Sequence, residues 1–283
     1  MHPTGLAAAA LSLALALAGC TSGSGDGSLA DQTDRSTASE SAASSSPVTN
    51  PEELFMRVSA AASEAGSVRT SFTSASAAGD VSGEGLVRFG SDYAADLTVS
   101  APGGTAAGAG GLRAVIVDET FYLQGGSEIG LPAGKTWISL TAADDSPLAT
   151  SLAPLVTALA TAGDMEQSFA ALRAGTQLRV DGQEDIDGVA TTKYVVTVDV
   201  AQAITVAGSA AGQFQALEDL GVAAFDYAIW VGDDDLPRQY EHVLDIGGGT
   251  TTRANYTDWG TTVAISAPPA EQVASLAELL GTG

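Results

Sequence analysis

A single thiol is the first group in this chain with an evident chemical use. Cys20, the only cysteine, follows Leu17-Ala18-Gly19 and precedes a polar stretch rich in Ser and Gly. Small residues before a cysteine let a signal peptidase bind the backbone, and the thiol can then carry an acyl chain. This pattern is a lipobox, and it predicts lipidation at Cys20.

The apolar run before the lipobox has the dimensions of a signal-peptide core. It extends from Leu6 to Ala18, which is too short to cross a bilayer as a helix. We interpret residues 1–19 as a lipoprotein signal peptide, although no Lys or Arg precedes the run. A secretory peptide with a chance cysteine is the alternative. Two or three acyl chains on Cys20, such as palmitate, would hold the protein at the extracytoplasmic face of the cell membrane.

Imidazole chemistry depends on one residue, His242, because His2 would leave with the signal peptide. A Ser-His-Asp site on an α/β-hydrolase sheet also needs a nucleophile turn of the form Gly-x-Ser-x-Gly, which the sequence lacks. His242 lies in a predicted strand, so we expect it to be a partly buried or surface residue with a structural role. The sequence does not predict an enzyme.

Grouped carboxylates could bind calcium, but their spacing does not favour it. Asp144-Asp145 and Asp233-Asp234-Asp235 lack the alternating ligands and closing Glu of an EF-hand loop. We expect solvated turns, with weak adventitious calcium binding left open. No cluster of His and Cys suits zinc or iron, so no metal or cofactor is predicted. A carboxylate pair for glycoside hydrolysis also stays open, because such a pair is spatial.

The charge of the chain limits its partners. The chain has 11 Lys and Arg residues and 34 Asp and Glu residues, which gives a net charge of -23. Such a protein would be repelled by the phosphates of nucleic acid and by the surface of an anionic bilayer. We therefore expect no nucleic-acid partner and a membrane attachment that depends on the lipid.

The chain divides into a tether and a folded part. Residues 20–49 contain no aromatic side chain and cannot bury enough surface to fold. A helix is predicted from Pro51, capped by Asn50, to an end near Gly66. The rest is long enough to build one core. We assign residues 50–283 to a single domain.

Two groups of strands follow the first helix. Apolar and polar residues alternate within 67–140 and again within 176–199 and 225–256. Short turns between consecutive strands give antiparallel pairs, and helices inserted between strand groups belong on one face of the sheet. The predicted fold class is α+β. The predicted helices cover 151–162, 165–174, 201–220 and 270–280.

Several short motifs follow the lipobox, and their order resembles the order of motifs in the LppX/LprAFG lipoproteins of actinobacteria. The resemblance covers roughly residues 50–270. Its motifs, in chain order, are Asp118-Glu119-Thr120-Phe121-Tyr122 with Trp137, Val180-Asp181-Gly182, Ile186-Asp187-Gly188, Tyr194-Val195-Val196-Thr197-Val198-Asp199, Leu236-Pro237-Arg238, Asn255-Tyr256-Thr257-Asp258-Trp259-Gly260 and Ala267-Pro268-Pro269.

This resemblance implies a curved antiparallel sheet, a LolA-like half-barrel, whose concave face is covered by helices. It also implies an apolar cavity between these layers and a role in carrying or presenting acylated lipids or glycolipids of the cell envelope. An envelope export protein is a candidate partner. The residues that we expect to line the cavity are Tyr93, Leu97, Val115, Val117, Tyr194, Val196, Val198, Phe225, Tyr227 and Ile229.

A filled core is the alternative to a cavity. The protein would then be a non-enzymatic interaction lipoprotein of the cell surface without lipid cargo. The many Ala and Gly residues fit both hypotheses, because small side chains either widen a cavity or accompany a thin core. We expect Trp137, Trp230 and Trp259 to pack in the core or at the edges of the sheet.

Overall fold

A computed structural model describes residues 48–77, 79–90, 92–100, 111–118, 120–124, 131–141, 175–206, 211–245 and 249–279. Cys20, the predicted tether up to residue 47 and the predicted helices at 151–162 and 165–174 lie outside these residues. The described residues form four α-helices: α1 (Pro51–Ala65), α2 (Val200–Val206), α3 (Ala211–Asp219) and α4 (Leu276–Leu279).

Twelve strands make up most of the described structure. They are β1 (Ser67–Ser76), β2 (Val81–Arg88), β3 (Ala94–Ser100), β4 (Leu112–Val117), β5 (Thr120–Gln124), β6 (Trp137–Leu140), β7 (Gly175–Ile186), β8 (Val189–Asp199), β9 (Ala224–Gly232), β10 (Pro237–Leu244), β11 (Thr250–Thr257) and β12 (Val273–Ser275).

All twelve strands belong to one open, curved sheet, in the order β12-β6-β5-β4-β3-β2-β1-β11-β10-β9-β8-β7. Every neighbouring pair is antiparallel except β12 with β6. Strands β1 to β6 and β7 to β11 are therefore two meanders joined by the β1–β11 pair. The prediction of an α+β fold with a curved antiparallel half-barrel is confirmed.

Helix α1 begins and ends where the sequence predicts. The side chain of Asn50 accepts a hydrogen bond from the backbone N–H of Glu52 at 2.9 Å, and Pro51 occupies the first turn. Gly66 ends the helix with a φ of 72°, a conformation that favours glycine. The buried residues recur at helical spacing, which makes the helix amphipathic. They are Leu54, Phe55, Val58 and Ala62.

The two later predicted helices differ from the structure. The pattern at 201–220 corresponds to α2 and α3, with residues 207–210 outside the described part. Within the predicted helix at 270–280, Ala270–Gln272 form a 3₁₀-helix and Leu276–Leu279 form α4, so the prediction is wrong at the three residues between them. Residues Val273–Ser275 instead form β12 and pair in parallel with β6, so that a tertiary contact overrides local helix propensity.

Apolar side chains are buried on both faces of the sheet, in unequal amounts. The larger cluster lies between helices α1 to α3 and one face of the sheet, which we call the inner face. A smaller cluster lies on the opposite, outer face. Its buried members are Ala94, Val115, Trp137 and Ile265.

Candidate ligand-binding face

Eight of the ten predicted cavity residues share the inner face. Strands β8 and β9 contribute three each, which lie opposite one another in the register of the two strands. Their role as the lining of a cavity stays a prediction. The eight, all within the larger cluster or packed against it, are Tyr93, Leu97, Tyr194, Val196, Val198, Phe225, Tyr227 and Ile229.

The other two predicted residues, Val115 and Val117, lie on the outer face. Val115 is buried in the smaller cluster and Val117 packs against it. Their neighbours Ala114 and Ile116 face inward instead. Strand β4 is apolar on both sides, so its sequence does not alternate and the period cannot identify its inner side. The placement of Val115 and Val117 on the predicted lining was therefore wrong.

The described helices cover the inner face through apolar contacts and one ion pair. Phe214 and Leu217 of α3 and Val200 of α2 join the larger cluster. Arg57 of α1 binds Asp235 in the turn between β9 and β10 through two contacts, of 2.7 and 3.1 Å. A two-point contact of this kind fixes the orientation of the guanidinium relative to the carboxylate as well as the distance between them. It holds α1 at one end of β9 and β10.

Part of the inner face is filled by the sheet's own side chains. Glycines at positions 83 and 85 of β2 have no side chain of their own. The ring of Phe72 lies against Gly83, and the side chain of Leu97 lies against Gly85, each closer than a Cβ would permit. These small residues admit larger neighbours and do not widen a cavity. At these two positions the structure agrees with a filled core.

Several polar residues form one row across the inner face. His242 lies opposite Thr252 on one side and Tyr227 on the other, and Thr252 lies opposite Ser74. The hydroxyls of Ser74 and Thr252 are hydrogen-bonded at 3.0 Å, and the hydroxyl of Tyr240 contacts Nδ1 of His242. His242 is 1% exposed, so it is more deeply buried than the sequence suggested.

Burial sets the protonation of these groups. It lowers the pKa of His242 to about 4, because a charged imidazole is poorly solvated there. It raises the pKa of Tyr240 and of Tyr227 well above the ordinary value, with neighbouring tyrosines adding to the effect. At neutral pH the imidazole is therefore uncharged and both phenols keep their protons.

A cleft of about 400 Å³ opens where several strands end. Its apolar lining includes Ile186, Leu236 and Trp259, and its polar lining includes Arg238 and Asp234, which form an ion pair at 2.5 Å. This cleft was not predicted, because three turns that are distant in the chain assemble it. The turns themselves carried a signal, since aspartates at positive φ are typical of tight turns.

The tryptophans pack as the sequence suggested. Trp137 belongs to the outer cluster, the indole of Trp230 donates to Glu184 at 2.9 Å, and that of Trp259 donates to the carbonyl of Pro237 at 2.9 Å. Lys193 lies over the Trp230 ring, 4.9 Å from its centre. These contacts occupy the indole donors of Trp230 and Trp259 within the protein.

The described residues contain neither a metal-binding cluster nor a membrane-spanning helix. No group of three or more His, Cys, Asp or Glu side chains among them is arranged to hold a metal ion. No helix within the same residues is long and apolar enough to cross a membrane. The aspartates at 233–235 lie in the β9–β10 turn, where Asp234 and Asp235 pair with arginines.

Residues 6–268 match a family described as a family of unknown function, DUF7537. The chain belongs to this family. An uncharacterized 31.2 kDa protein of the rplA-rplJ intergenic region of Streptomyces griseus is 29% identical over 202 residues. The aligned part covers 66% of this chain and 66% of that protein.

Two solved structures of mycobacterial proteins are similar to this member of DUF7537. LprF from Mycobacterium bovis has a TM-score of 0.50 and 16% identity, over 77% of this chain and 96% of LprF. Lipoprotein LppX from Mycobacterium tuberculosis has a TM-score of 0.44 and 15% identity, over 76% of this chain and 99% of LppX. The likeness to LprF shows a shared fold. The resemblance to the LppX/LprAFG proteins is confirmed at this level.

Proposed function

We propose that this protein is a non-enzymatic lipoprotein that holds an acyl chain of an envelope lipid between the inner face and its helices. Cys20 would anchor it to the outer side of the cell membrane. It would carry or present an acylated lipid or glycolipid, with an envelope export protein as a candidate partner. The resemblance to the LppX/LprAFG lipoproteins supports both parts of the proposal.

The observation that carries this proposal is the composition of one face. Six predicted residues of β8 and β9 form a continuous buried apolar surface on the inner face, and α1 to α3 pack against the same cluster. A ligand that is mostly hydrocarbon needs such a surface and little else. Burial of about ten methylenes contributes on the order of 8 kcal/mol.

One observation favours a second candidate, an interaction lipoprotein without cargo. Phe72 and Leu97 occupy the space over Gly83 and Gly85, so the inner face is filled at these two positions. A filled core leaves the acidic surface as the means of recognising a partner. The two candidates differ in whether a lipid copurifies.

Native mass spectrometry with organic extraction distinguishes them. The chain from Thr21 onward, secreted behind a cleavable signal peptide in a bacterium with a similar envelope, would carry no anchor that could be mistaken for cargo. We expect one acylated lipid per chain. A clean apo mass, with no uptake of offered lipids, would favour the interaction lipoprotein instead.

Matched substitutions test whether the cargo binds on the inner face. Val196→Trp and Ile229→Trp introduce bulk into the proposed site and should remove the copurifying lipid. Val243→Trp is the control, because Val243 is 55% exposed on β10 and its side chain alternates to the outer face. Loss of lipid from the control alone would contradict the assignment of the inner face.

A further inference from the structure

His242 has one ring nitrogen that the protein does not use. Nδ1 contacts the hydroxyl of Tyr240, whereas Nε2 is buried and has no hydrogen-bond partner among the described residues. In the same polar row, Ser74 and Thr252 satisfy each other. The row thus presents a single unpaired side-chain atom, Nε2.

The contact with Tyr240 determines which nitrogen carries the proton. A phenol that donates to Nδ1 leaves the proton of the neutral ring on Nε2. The opposite tautomer would leave both the phenol proton and Nε2 without a partner among the described groups. The first tautomer therefore costs less, and it makes Nε2–H a hydrogen-bond donor.

A buried donor without an acceptor is unfavourable, because it loses its hydrogen bond to water and gains none in the protein. In the described structure, the groups around His242 supply no acceptor for this donor. Phe225 meets the ring edge-on with centroids 6.3 Å apart, and Tyr227 lies opposite on β9. Neither side chain is hydrogen-bonded to Nε2. The acceptor that this position suits is an oxygen on an otherwise apolar ligand.

The position of His242 relates this donor to the proposed acyl site. His242 lies opposite Tyr227, and Tyr227 lies opposite Val196, so the three occupy one row of the inner face. We propose that Nε2–H of His242 binds the ester carbonyl oxygen of an acyl lipid held on this face. The inference rests on the proposed function, and it narrows the ligand to lipids with a carbonyl within the apolar layer.

Two probes of equal length test the inference. Methyl palmitate carries an ester, and n-octadecane has the same chain length without one. The chain from Thr21 onward is offered both from cyclodextrin in equal amounts, separated by gel filtration and extracted, and the bound ratio is measured by gas chromatography. His242→Phe should lower the ester-to-alkane ratio roughly five- to tenfold relative to the native chain.

A second variant and a spectroscopic measurement keep the test independent of folding defects. His242→Gln retains an N–H donor near the position of Nε2 and should keep most of the ester preference. In the native chain, ¹⁵N NMR of the histidine ring should show Nε2 protonated. Its proton signal should shift with methyl palmitate and stay in place with n-octadecane.

The outcomes separate the two proposals. If both probes bind and the ratio is the same in the native chain and His242→Phe, the hydrogen bond is overturned and the acyl site stands. A water molecule on Nε2 would give that result. If neither probe binds, the proposed function fails, and this inference fails with it.

Discussion

His242 is a buried ionisable residue whose neutral form the fold requires. Its pKa is about 4 in the folded protein, against about 6.5 in an unfolded chain. Between these values the unfolded chain binds more protons, so stability falls as pH falls. We expect a loss of about 3 kcal/mol in the free energy of unfolding between pH 6.5 and 4 from this residue.

Urea unfolding of the native chain and of His242→Phe at several pH values isolates this contribution, because carboxylates titrate equally in both. The difference in free energy between the two proteins should change with pH over that window and be constant above pH 7. A constant difference from pH 7 down to pH 4 would contradict the buried, neutral histidine.

Cys20 is the residue on which the proposed location depends. Thioether attachment of a lipid needs the thiol, and no other cysteine is present in the chain. In the full-length protein, Cys20→Ala should therefore abolish incorporation of an alkyne-labelled palmitate. Ser22→Ala is the control and should be labelled like the native protein. Labelling that persists in Cys20→Ala would exclude this lipobox as the acylation site.

At the scale of elements, β2 shows why the glycines of this sheet are not interchangeable with alanine. A Cβ at Gly85 would overlap the carbonyl oxygen of Asp96 and the side chain of Leu97, and backbone on a paired strand cannot move away cheaply. We expect Gly85→Ala to destabilise the fold by roughly 1–3 kcal/mol.

The control for Gly85→Ala is Gly212→Ala in α3, where a new Cβ has nothing within 4 Å. Alanine is the better helix former, so this change should be neutral or stabilise by up to about 1 kcal/mol. Thermal unfolding of both variants measures the contrast. Equal melting temperatures would show that β2 and β3 separate more readily than their packing indicates.

The strands also show what periodicity can and cannot predict. In β8 and β9, polar residues such as Thr197 and Asp226 alternate with apolar ones, and the register of the two strands brings the apolar residues to one shared face. In β4 both sides are buried, and the alternation disappears at Val115 and Val117. Residues Val273–Ser275 were missed because their strand depends on a partner far away in the chain.

The candidate site was predictable in its apolar part alone. Alternating patterns place Tyr194, Val196 and Ile229 on one face without knowledge of the register. The polar row needs the register of three antiparallel strands, since Ser74, Thr252 and His242 are far apart in the chain. No sequence pattern marks Nε2 of His242 as unpaired.

At the scale of the whole molecule, a net charge of -23 would repel anionic headgroups. Under the proposed function, hydrophobic contact with acyl chains would therefore supply the favourable free energy both for membrane attachment and for cargo binding. Binding of cargo should then stabilise the entire fold, because the inner face spans both meanders and α1 to α3 pack against it.

Removal of lipid from the chain from Thr21 onward tests this coupling. A ligand that binds only the folded state at 100 times its dissociation constant adds about 2.7 kcal/mol. For a domain of this size, that corresponds to a rise in melting temperature of roughly 5–10 °C. Calorimetry before and after delipidation, and again after lipid is restored, should show that the melting temperature falls and then recovers.

The two tryptophan variants are the controls. Val243→Trp should behave like the native chain, whereas Val196→Trp should melt at the same temperature with and without lipid. A native chain that melts identically with and without lipid would mean that the inner face is closed by its own side chains.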